Sequence, residues 1–391
     1  MVVKKRILPI IVIAQFLCTS LWFAGNAIIK DLVITFNLTD GALGHLTTAV
    51  QLGFILGTLL FAIFTITDRF SPSKVFFVSA VIAAVCNVLM NYENQNMFSL
   101  TMLRFFTGFF LAGIYPVGMK IASDYYKGGL GKSLGFLVGA LVLGTALPHL
   151  LKAVSFNFSW QYIVYVTSTF SVLGGVLMLA FVPDGPYKTK LSSFDVSVFY
   201  KVFKTGEFRS AAFGYFGHMW ELYSFWAFVP FFLMAYNKTH EAASFNVALL
   251  SFGIIGIGGV ACVLSGYLSN IFSTKQIATL SLGLSCLCCF LSPFFFIYAS
   301  PVMFMIYLLF WGIVVIADSP MFSTLVAQNV NQSYKGTALT IVNCIGFAIT
   351  VLSIQLINLL KVEIAIQYLF LVLAIGPVLG LVFLFKGKVK A

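Results

Sequence analysis

Charged residues are scarce in this chain of 391 residues. Only 9% of its residues are Asp, Glu, Lys or Arg, whereas soluble proteins contain about 25%. Hydrophobic residues make up 60% of the chain, and the mean hydropathy is +1.00. So few charges cannot cover the water-facing surface of a globular fold of this size. The composition therefore excludes soluble enzymes, secreted disulfide scaffolds and nucleic-acid-binding domains, and it indicates a membrane protein.

Loop cysteines and clusters of metal ligands are also missing. All seven cysteines lie in apolar runs, without His or acidic residues at metal-binding spacing. We therefore expect no disulfide framework, metal site or cofactor, and we interpret the thiols as core side chains. Acidic residues are outnumbered 23 to 12 by Lys and Arg, which gives a formal charge of +11. In a polytopic membrane protein such an excess marks cytoplasmic loops near anionic lipid, not nucleic-acid binding.

Long apolar runs are what the sequence has in abundance, and a transmembrane helix needs about 20 such residues. The runs predict an all-α membrane protein with twelve transmembrane helices, near residues 7–29, 41–66, 75–92, 98–123, 132–153, 160–182, 210–236, 244–269, 276–298, 301–328, 337–360 and 365–385. The first run follows three basic residues, as a signal peptide would. Because it is long and lacks a small-residue cleavage site, we interpret it as the first span.

Basic residues are distributed unevenly over the predicted connections. Of the 23 Lys and Arg residues, two lie inside a predicted span, four flank spans on one side, and the other 17 lie on the opposite side. The four are Lys30, Lys152, Lys238 and Lys361. Positively charged loops stay in the cytoplasm, and an even number of spans places both termini on one side. We therefore expect an inner-membrane protein with both termini in the cytoplasm.

The longest predicted connection falls at the middle of the chain and contains two prolines. It divides the chain into an N-terminal six-helix bundle, a cytoplasmic linker and a C-terminal six-helix bundle, at residues 1–183, 184–209 and 210–391. Four apolar residues of the linker share a helical face and indicate a short interfacial helix: Val196, Phe199, Tyr200 and Phe203.

A short polar turn recurs in both halves. The turn after span two reads Asp68-Arg69-Phe70-Ser71-Pro72-Ser73-Lys74. About 200 residues later, the turn after span eight reads Gly266-Tyr267-Leu268-Ser269-Asn270 and is followed by Lys275. Two related bundles with a midplane site are a common construction of secondary transporters, because alternating access requires two parts that move against each other.

The turn after span two resembles the Gly-x-Leu-x-Asp-Arg-x-Gly-Arg-Lys motif of the major facilitator superfamily, and the resemblance covers essentially the whole chain. Asp68, Arg69 and Lys74 match the motif, whereas Phe64 and Ser71 stand where glycines are expected. The resemblance implies a charged latch between helices that stabilises the outward-facing state. It therefore implies a gating role for the three matching residues.

Two further segments are similar to this family. The run that begins Arg104-Phe105-Phe106-Thr107-Gly108 looks like the fourth-helix arginine motif, in which a membrane-embedded arginine is tied to proton coupling. The runs Gly217–Tyr223 and Trp311–Pro320 resemble bacterial carriers grouped as nitrate/nitrite-like. The glycine-and-asparagine nitrate signature is absent from spans five and eleven, and span five lacks the Gly-Pro pair typical of drug antiporters.

Ionisable residues within the predicted spans mark a candidate coupling site, because an unpaired charge in a bilayer is costly. His218 and Glu221 are three residues apart and share a face of span seven. Glu221 is therefore a candidate proton carrier with His218 adjusting its proton affinity, and Asp318 in span ten is a second candidate. Structural alternatives remain: Glu221 hydrogen-bonded to a Tyr or Trp of another helix, and Asp318 paired with Arg104.

Polar and aromatic side chains of spans one, four and ten are candidate solute contacts. Span one carries a polar stripe at helical spacing. The guanidinium of Arg104 is suited to an anion such as a carboxylate or phosphate, and equally to a bridge that locks span four to a neighbour. Lys120 lies four residues before Asp124 near the cytoplasmic end of its helix, so it can pair with Asp124 or extend its ammonium to the membrane surface. We predict six solute contacts: Arg104, Gln15, Trp22, Asn26, Tyr115 and Trp311.

These features predict a secondary active transporter and not an enzyme. It would move a small polar or anionic solute together with protons by alternating access. Its expected partners are the solute, protons and membrane lipid, without nucleic acid, and we expect a monomer. A proton-driven exporter of drugs or metabolites is an alternative that the fourth-helix arginine favours. A membrane enzyme acting on lipid would need clusters of acids or histidines at the interface, which the connections lack.

Overall fold

The structure is a computed structural model that describes residues 6–39, 41–126, 130–155, 158–187, 197–331 and 335–386. These residues form helices, turns and irregular connections, and no strand occurs among them. The chain divides into two compact units, Met1–Phe194 and Asp195–Ala391.

The described residues of the first unit form ten α-helices. Backbone groups in a bilayer must be satisfied within the protein, and helices achieve this within each segment. The helices are α1 Ile7–Thr19, α2 Ala24–Ala27, α3 Ile29–Phe36, α4 Ala42–Ile63, α5 Ile66–Arg69, α6 Pro72–Val88, α7 Met97–Leu111, α8 Tyr115–Tyr125, α9 Leu130–Val154 and α10 Gln161–Phe181.

The second unit contains eight α-helices in its described part. They are α11 Val198–Val202, α12 Gly206–Thr239, α13 Val247–Leu268, α14 Thr274–Tyr298, α15 Pro301–Ala317, α16 Ser319–Gln328, α17 Lys335–Leu360 and α18 Ile375–Lys386. A 3-10 helix, Ile366–Ala374, leads directly into α18.

The predicted all-helical membrane fold is confirmed. Ten helices or helix pairs in the described ranges are long and apolar enough to cross a membrane. The remaining two predicted spans are helical as well. The first span is the interrupted series α1 to α3, and the seventh is α12, a helix of 34 residues that carries several charged side chains.

Among the described residues, the first, fourth and tenth spans are each interrupted between two helices. The first span breaks between α1 and α2, the fourth between α7 and α8, and the tenth between α15 and α16. Pro116 and Pro320 lie in the first turns of α8 and α16. Proline fits the first turn of a helix but not its interior, because it lacks an N–H and clashes with the preceding turn. Each break leaves backbone groups that need partners from elsewhere.

Each unit contains the same helix contact. Gly108 of α7 packs on the backbone of Val50 in α4, and Gly312 of α15 packs on the backbone of Ile254 in α13. The second pair lies 204 residues after the first, as Pro320 lies 204 residues after Pro116. In both units a side chain at the glycine would collide with the facing carbonyl. The glycine contact and the proline thus recur in both units at the same spacing of 204 residues.

The short helix α11 lies where the sequence predicts a linker helix. The predicted apolar face differs from the buried one: Val198 and Val202 are buried, whereas Tyr200 is 70% exposed. The difference arises because α11 packs against α17, so its orientation follows that contact. The fourth residue of the predicted face, Val196, lies outside the described residues.

Candidate functional site

The break in the tenth span positions a buried acid. Asp318 is the single residue between α15 and α16, and its side chain is fully buried. Pro320 in the first turn of α16 prevents the helix from continuing unbroken across this point. The sequence predicts that Pro320 loosens the helix here, and the structure has a break two residues before it.

Asp318 faces a histidine of the seventh span. The Nδ1 atom of His218 in α12 lies 2.8 Å from Oδ1 of Asp318, and each side chain is 1% exposed. Among the described residues, neither Nε2 of His218 nor Oδ2 of Asp318 has a hydrogen-bond partner. Tyr215 and Phe322 flank the imidazole, each with its ring centroid 6.0 Å away. The pair is thus flanked by two aromatic rings, and Nε2 of His218 and Oδ2 of Asp318 have no hydrogen-bond partner among the described residues.

Glu221 has a separate set of partners one turn further along α12. Its Oε1 atom accepts hydrogen bonds from Ser285 Oγ at 2.5 Å, Trp311 Nε1 at 2.6 Å and Cys289 Sγ at 3.4 Å. This arrangement corresponds to the structural alternative in which a tryptophan of another helix binds the carboxylate. Three donors on one oxygen stabilise a buried carboxylate without a cation beside it.

The structure therefore does not place His218 against Glu221, although both belong to one helical face. Residues three apart on an α-helix differ by about 60° in direction, so neighbouring helices decide which partner each meets. His218 meets Asp318 at the break of the tenth span, and Glu221 meets α14 and α15. Asp318 contacts α12 through His218, and Glu221 lies on α12 three residues after His218. Both acids are therefore in contact with the same turn of α12.

Arg104 in α7 donates hydrogen bonds to the turn that interrupts the first span. Its guanidinium donates to the backbone carbonyls of Leu21 at 3.1 Å and Trp22 at 2.5 Å, and it lies 3.5 Å from Oδ1 of Asn87. These carbonyls lie in the turn between α1 and α2, where the helical ladder is interrupted. Arg104 is fully buried and lies close to Gly25, which leaves room for it. The described contacts correspond to the bridging alternative in the sequence analysis.

The polar stripe of the first span faces helices of its own unit. Asn26 donates to Thr47 Oγ1 of α4 at 2.8 Å, and the ring of Trp22 lies 4.9 Å from that of Phe54. Gln15 is fully buried against α8, where Gly118 leaves space for its carboxamide. Thr47 and Phe54, which make these two contacts, lie on one face of α4. That face also carries Gln51, which the sequence analysis did not single out.

The other two predicted solute contacts differ in position. Tyr115 is the first residue of α8, directly after the break of the fourth span, and it is half-buried. Trp311 is fully buried, and its indole N–H is used by Glu221 while its ring lies 4.6 Å from that of Phe225. Trp311 therefore positions the carboxylate in this structure.

The predicted gating turn is tied to the end of the fourth span. Lys120 of α8 lies 3.5 Å from Oδ1 of Asp68 and 3.4 Å from Oδ2 of Asp124. The expected pair of Lys120 and Asp124 is present, and its extension to Asp68 is new. Arg69 donates from Nε to Thr65 Oγ1 at 3.3 Å, and Lys74 is exposed. One lysine thus bridges two acids at this end of the unit.

Residues that sequence reasoning missed are the small polar partners. Ser285 and Cys289 lie one helical turn apart on α14 and both donate to Glu221. Their spacing of four was the available signal, but serine and cysteine are common in membrane helices, so it was not distinctive. In the part of the chain that the structure describes, no group of three or more His, Cys, Asp or Glu residues is arranged to hold a metal ion.

The fold defines a class: an all-helical protein of two compact units, in whose described part ten helices or helix pairs are long and apolar enough to cross a membrane. The sequence model of the Major Facilitator Superfamily matches residues 11–354. The chain belongs to this family. The curated relatives described next are transporters.

Individual relatives are distant. An uncharacterized transporter, YgaY, of Escherichia coli O157:H7 is 24% identical over 192 residues, 47% of this chain and 47% of the relative. The uncharacterized transporter BU588 of Buchnera aphidicola subsp. Acyrthosiphon pisum is 27% identical over 165 residues, 42% of this chain and 38% of the relative. The chain thus spans about half the length of the curated relatives it matches, or less.

A solved structure with the same fold is that of the MFS proton:xylose symporter XylE bound to 6-bromo-6-deoxy-D-glucose. It matches with a TM-score of 0.75 and 14% identity, over 97% of this chain and 94% of that chain. At this identity the similarity establishes the fold alone. The nitrate/nitrite-like grouping suggested by two short runs stays a prediction.

Proposed function

We propose that this transporter moves a small polar or anionic solute by alternating access and couples the movement to protons. The observation that carries the proposal is the close pair of His218 and Asp318, 2.8 Å apart and buried at a helix break. Ionisable groups inside a membrane are costly and mark ion or proton pathways. The same-fold neighbour XylE is a proton symporter, which supports the proposal without extending to the solute.

The charge of the His218–Asp318 pair explains how it would couple. With a neutral imidazole and an ionised carboxylate, the pair carries one negative charge, which is unfavourable in a low-dielectric interior. Uptake of one proton gives an imidazolium–carboxylate pair or two neutral groups, and either has no net charge. The protonated pair is therefore the form that is most stable in the low-dielectric interior. Proton binding would thus favour the occluded state, in which the pair is closed off from water on both sides.

Glu221 is the second proposed proton carrier. Its three donors are a hydroxyl, an indole and a thiol, none of which carries a compensating positive charge. A proton on Glu221 would remove the net charge and weaken the hydrogen bonds to Ser285 and Trp311. Those bonds connect α12 to α14 and α15, so protonation would change how firmly the three helices are held together.

The proposed transport cycle uses the two-repeat construction of the family. We assign the N-terminal bundle to residues 1–183, the linker to 184–209 and the C-terminal bundle to 210–391. Asp68, Arg69 and Lys74 remain the proposed gate, with Lys120 as the cation that holds Asp68. We expect the contact between Lys120 and Asp68 to break and re-form as the carrier alternates between its outward-facing and inward-facing states. Separating the two would leave partly buried charges unpaired, which is unfavourable.

For the location in the cell we propose a monomer in the inner membrane with both termini cytoplasmic. The support is the distribution of Lys and Arg, 17 on one side and four on the other. Fusions of a cytoplasm-dependent fluorescent protein and a periplasm-dependent phosphatase to either terminus test the orientation. Fluorescence without phosphatase activity at both ends is expected, and phosphatase activity at either end contradicts it.

The proposed coupling is tested in proteoliposomes. The purified protein is first screened by thermal shift against anions, amino acids, sugars and siderophore-like compounds, and the stabilising compounds are then used as labelled solutes. We expect an imposed pH gradient, acidic outside, to drive their accumulation. Accumulation with the gradient in the opposite direction would instead support the exporter alternative. Equal solute movement with and without a gradient would reject proton coupling.

A further inference from the structure

A groove opens between three helices of the second unit, at the end where α14 begins. It has a volume of about 820 Å³ and is lined by the first turns of α14, the last turn of α16 and the end of α18. The second copy of the recurring polar turn leads into it, since Ser269 at the end of α13 and Lys275 both line the groove. The proposed transport cycle assigns no role to this copy of the turn.

The lining of the groove changes from polar to apolar along the helices. On α14, Lys275 lies in the first turn and Leu280 lies further into the span. On α16, Gln328 is the last residue and Leu325 lies about one turn before it. The end of α18 is similar, because Lys386 directly follows two apolar residues of the lining. The groove therefore has a polar end at the helix termini and an apolar end inside the span, as a phospholipid has a headgroup and acyl chains.

Charge and exposure at the groove fit an anionic lipid. The described residues that line it include one cation, Lys275, and no Asp or Glu. Leu280 and Phe385 are 64% and 76% exposed, so in a bilayer their side chains contact acyl chains. The first turn of α14 is already capped by the side chains of Ser273 and Gln276, so the group that attracts an anion is the Lys275 ammonium. Basic pockets between transmembrane helices on the cytoplasmic side, where we propose that this end lies, bind anionic headgroups.

The first unit closes a junction of the same kind with its own chain. Ser71 Oγ donates to Asp184 Oδ1 at 2.7 Å, and Ser73 Oγ donates to the backbone carbonyl of Val182 at 2.5 Å. These bonds join the start of α6, which follows the first copy of the turn, to the segment after α10. Ser73 is the second residue of α6, as Lys275 is the second residue of α14. The second unit thus has a cation at the position where the first unit has a hydrogen bond to its own backbone.

We propose that the α14–α16–α18 groove, defined by Ser273, Lys275, Leu280, Gln328 and Phe385, binds one anionic phospholipid. The Lys275 ammonium binds the phosphate, and an acyl chain lies along Leu280 and Phe385. Because three helices form the groove, a lipid bound there stabilises the folded protein. The site goes beyond the proposed transport function and depends on neither the solute nor proton coupling.

Native mass spectrometry of the purified full chain tests the headgroup contact. The protein is titrated with phosphatidylglycerol and with phosphatidylcholine of the same acyl chains. We expect the wild type to bind phosphatidylglycerol about fivefold more tightly, the factor that one basic contact supplies, and Lys275→Gln to lose this preference. Lys275→Arg should retain it. The matched control Lys204→Gln removes an exposed cation of the same unit outside the groove and should bind both lipids as the wild type does.

A second pair of variants tests the apolar end of the groove. Thr279→Phe places an aromatic ring among the lining residues and should lower the binding of phosphatidylglycerol at least about fivefold by displacing part of an acyl chain. The control Thr169→Phe makes the same change at an exposed position of α10 in the first unit and should leave binding unchanged. Thermal unfolding without lipid verifies that each variant is folded.

Several results would overturn the proposal. Equal binding of the two lipids by the wild type would show that the groove does not select a charge. Equal losses in Lys275→Gln and Lys204→Gln would indicate general attraction to the membrane surface. Thermal stabilisation by glycerol 1-phosphate as strong as that by phosphatidylglycerol would indicate a site for soluble anions. A dimer that is present in the wild type and lost in Thr279→Phe would assign the groove to a second copy of the chain.

Discussion

The Nδ1 atom of His218 lies 2.8 Å from Oδ1 of Asp318, and the two side chains belong to different spans of one repeat. The aspartate lies at a break in its own span, while the histidine lies within an unbroken helix. A buried pair of this kind contributes little net stability, because the desolvation of both groups offsets their attraction. Its retention in a membrane interior is better explained by a change of protonation during function.

A double-mutant cycle tests whether His218 and Asp318 act as a pair. His218→Gln and Asp318→Asn each leave one buried polar partner unsatisfied, and each should lower the free energy of unfolding by about 1–3 kcal/mol. The double variant should lose less than the sum of the two, with a coupling energy of at least about 1 kcal/mol. Thermal unfolding in detergent measures all four proteins. Strictly additive effects would show that the two residues do not interact.

Glu221→Gln separates proton carriage from structure. The amide oxygen of glutamine can still accept from Ser285 Oγ and Trp311 Nε1, so the unfolding midpoint should change by only a few degrees. The variant should lose proton-driven accumulation but retain solute exchange, because it can no longer take up a proton. Uptake and exchange assays in proteoliposomes measure both. Wild-type accumulation by this variant would remove Glu221 from the mechanism.

Arg104→Lys tests the role of the guanidinium at the first-span break. A lysine ammonium lacks the planar fork that reaches the carbonyls of Leu21 and Trp22 together. We expect a loss of about 1–3 kcal/mol in stability without any solute present. An anion-binding role predicts instead a solute-free stability close to the wild type and a weaker stabilisation by anions. Thermal unfolding with and without acetate, phosphate and nitrate distinguishes the two.

The repeated glycine contacts predict matched losses in both units. A methyl group at Gly108 or Gly312 would lie 2.7 Å or 3.0 Å from the carbonyl carbon of Val50 or Ile254. Gly108→Ala and Gly312→Ala should therefore each destabilise the protein by about 1–3 kcal/mol through overpacking. Both variants are assayed for folded yield and thermal unfolding.

The control for the glycine variants is Gly283→Ala in α14, where an added methyl group meets nothing within 4 Å. That substitution should be neutral or stabilising by about 0.5–1 kcal/mol, because alanine favours the helix. If the control loses as much stability as Gly108→Ala and Gly312→Ala, the close approach of the repeated helix pairs does not explain the effect.

The sequence is enough to predict the all-helical membrane class and the positions of the apolar helices. Apolar runs report burial in lipid directly, and Pro320 marks the helix break beside Asp318 because its geometry is local. The presence of ionisable residues in the spans is equally visible, since any charge among apolar residues stands out.

Partner choice is not predictable in the same way. The spacing of His218 and Glu221 suggests that they act together, yet the structure gives each its own partner on a neighbouring helix. Arg104 shows the same limit, because its target carbonyls become available only through the break between α1 and α2. Periodicity fixes the face of one helix, whereas the identity of the facing helix depends on packing.

Solute-driven proton movement tests the central claim most directly. Proteoliposomes with a trapped pH-sensitive dye and no imposed gradient receive a solute that the thermal-shift screen identifies. The wild type and Asp31→Asn, which removes an acid from the partly exposed pair with Lys152, should both acidify the lumen. Asp318→Asn should not. Acidification by Asp318→Asn at the wild-type rate, or its absence in the wild type, would contradict proton coupling through the His218–Asp318 pair.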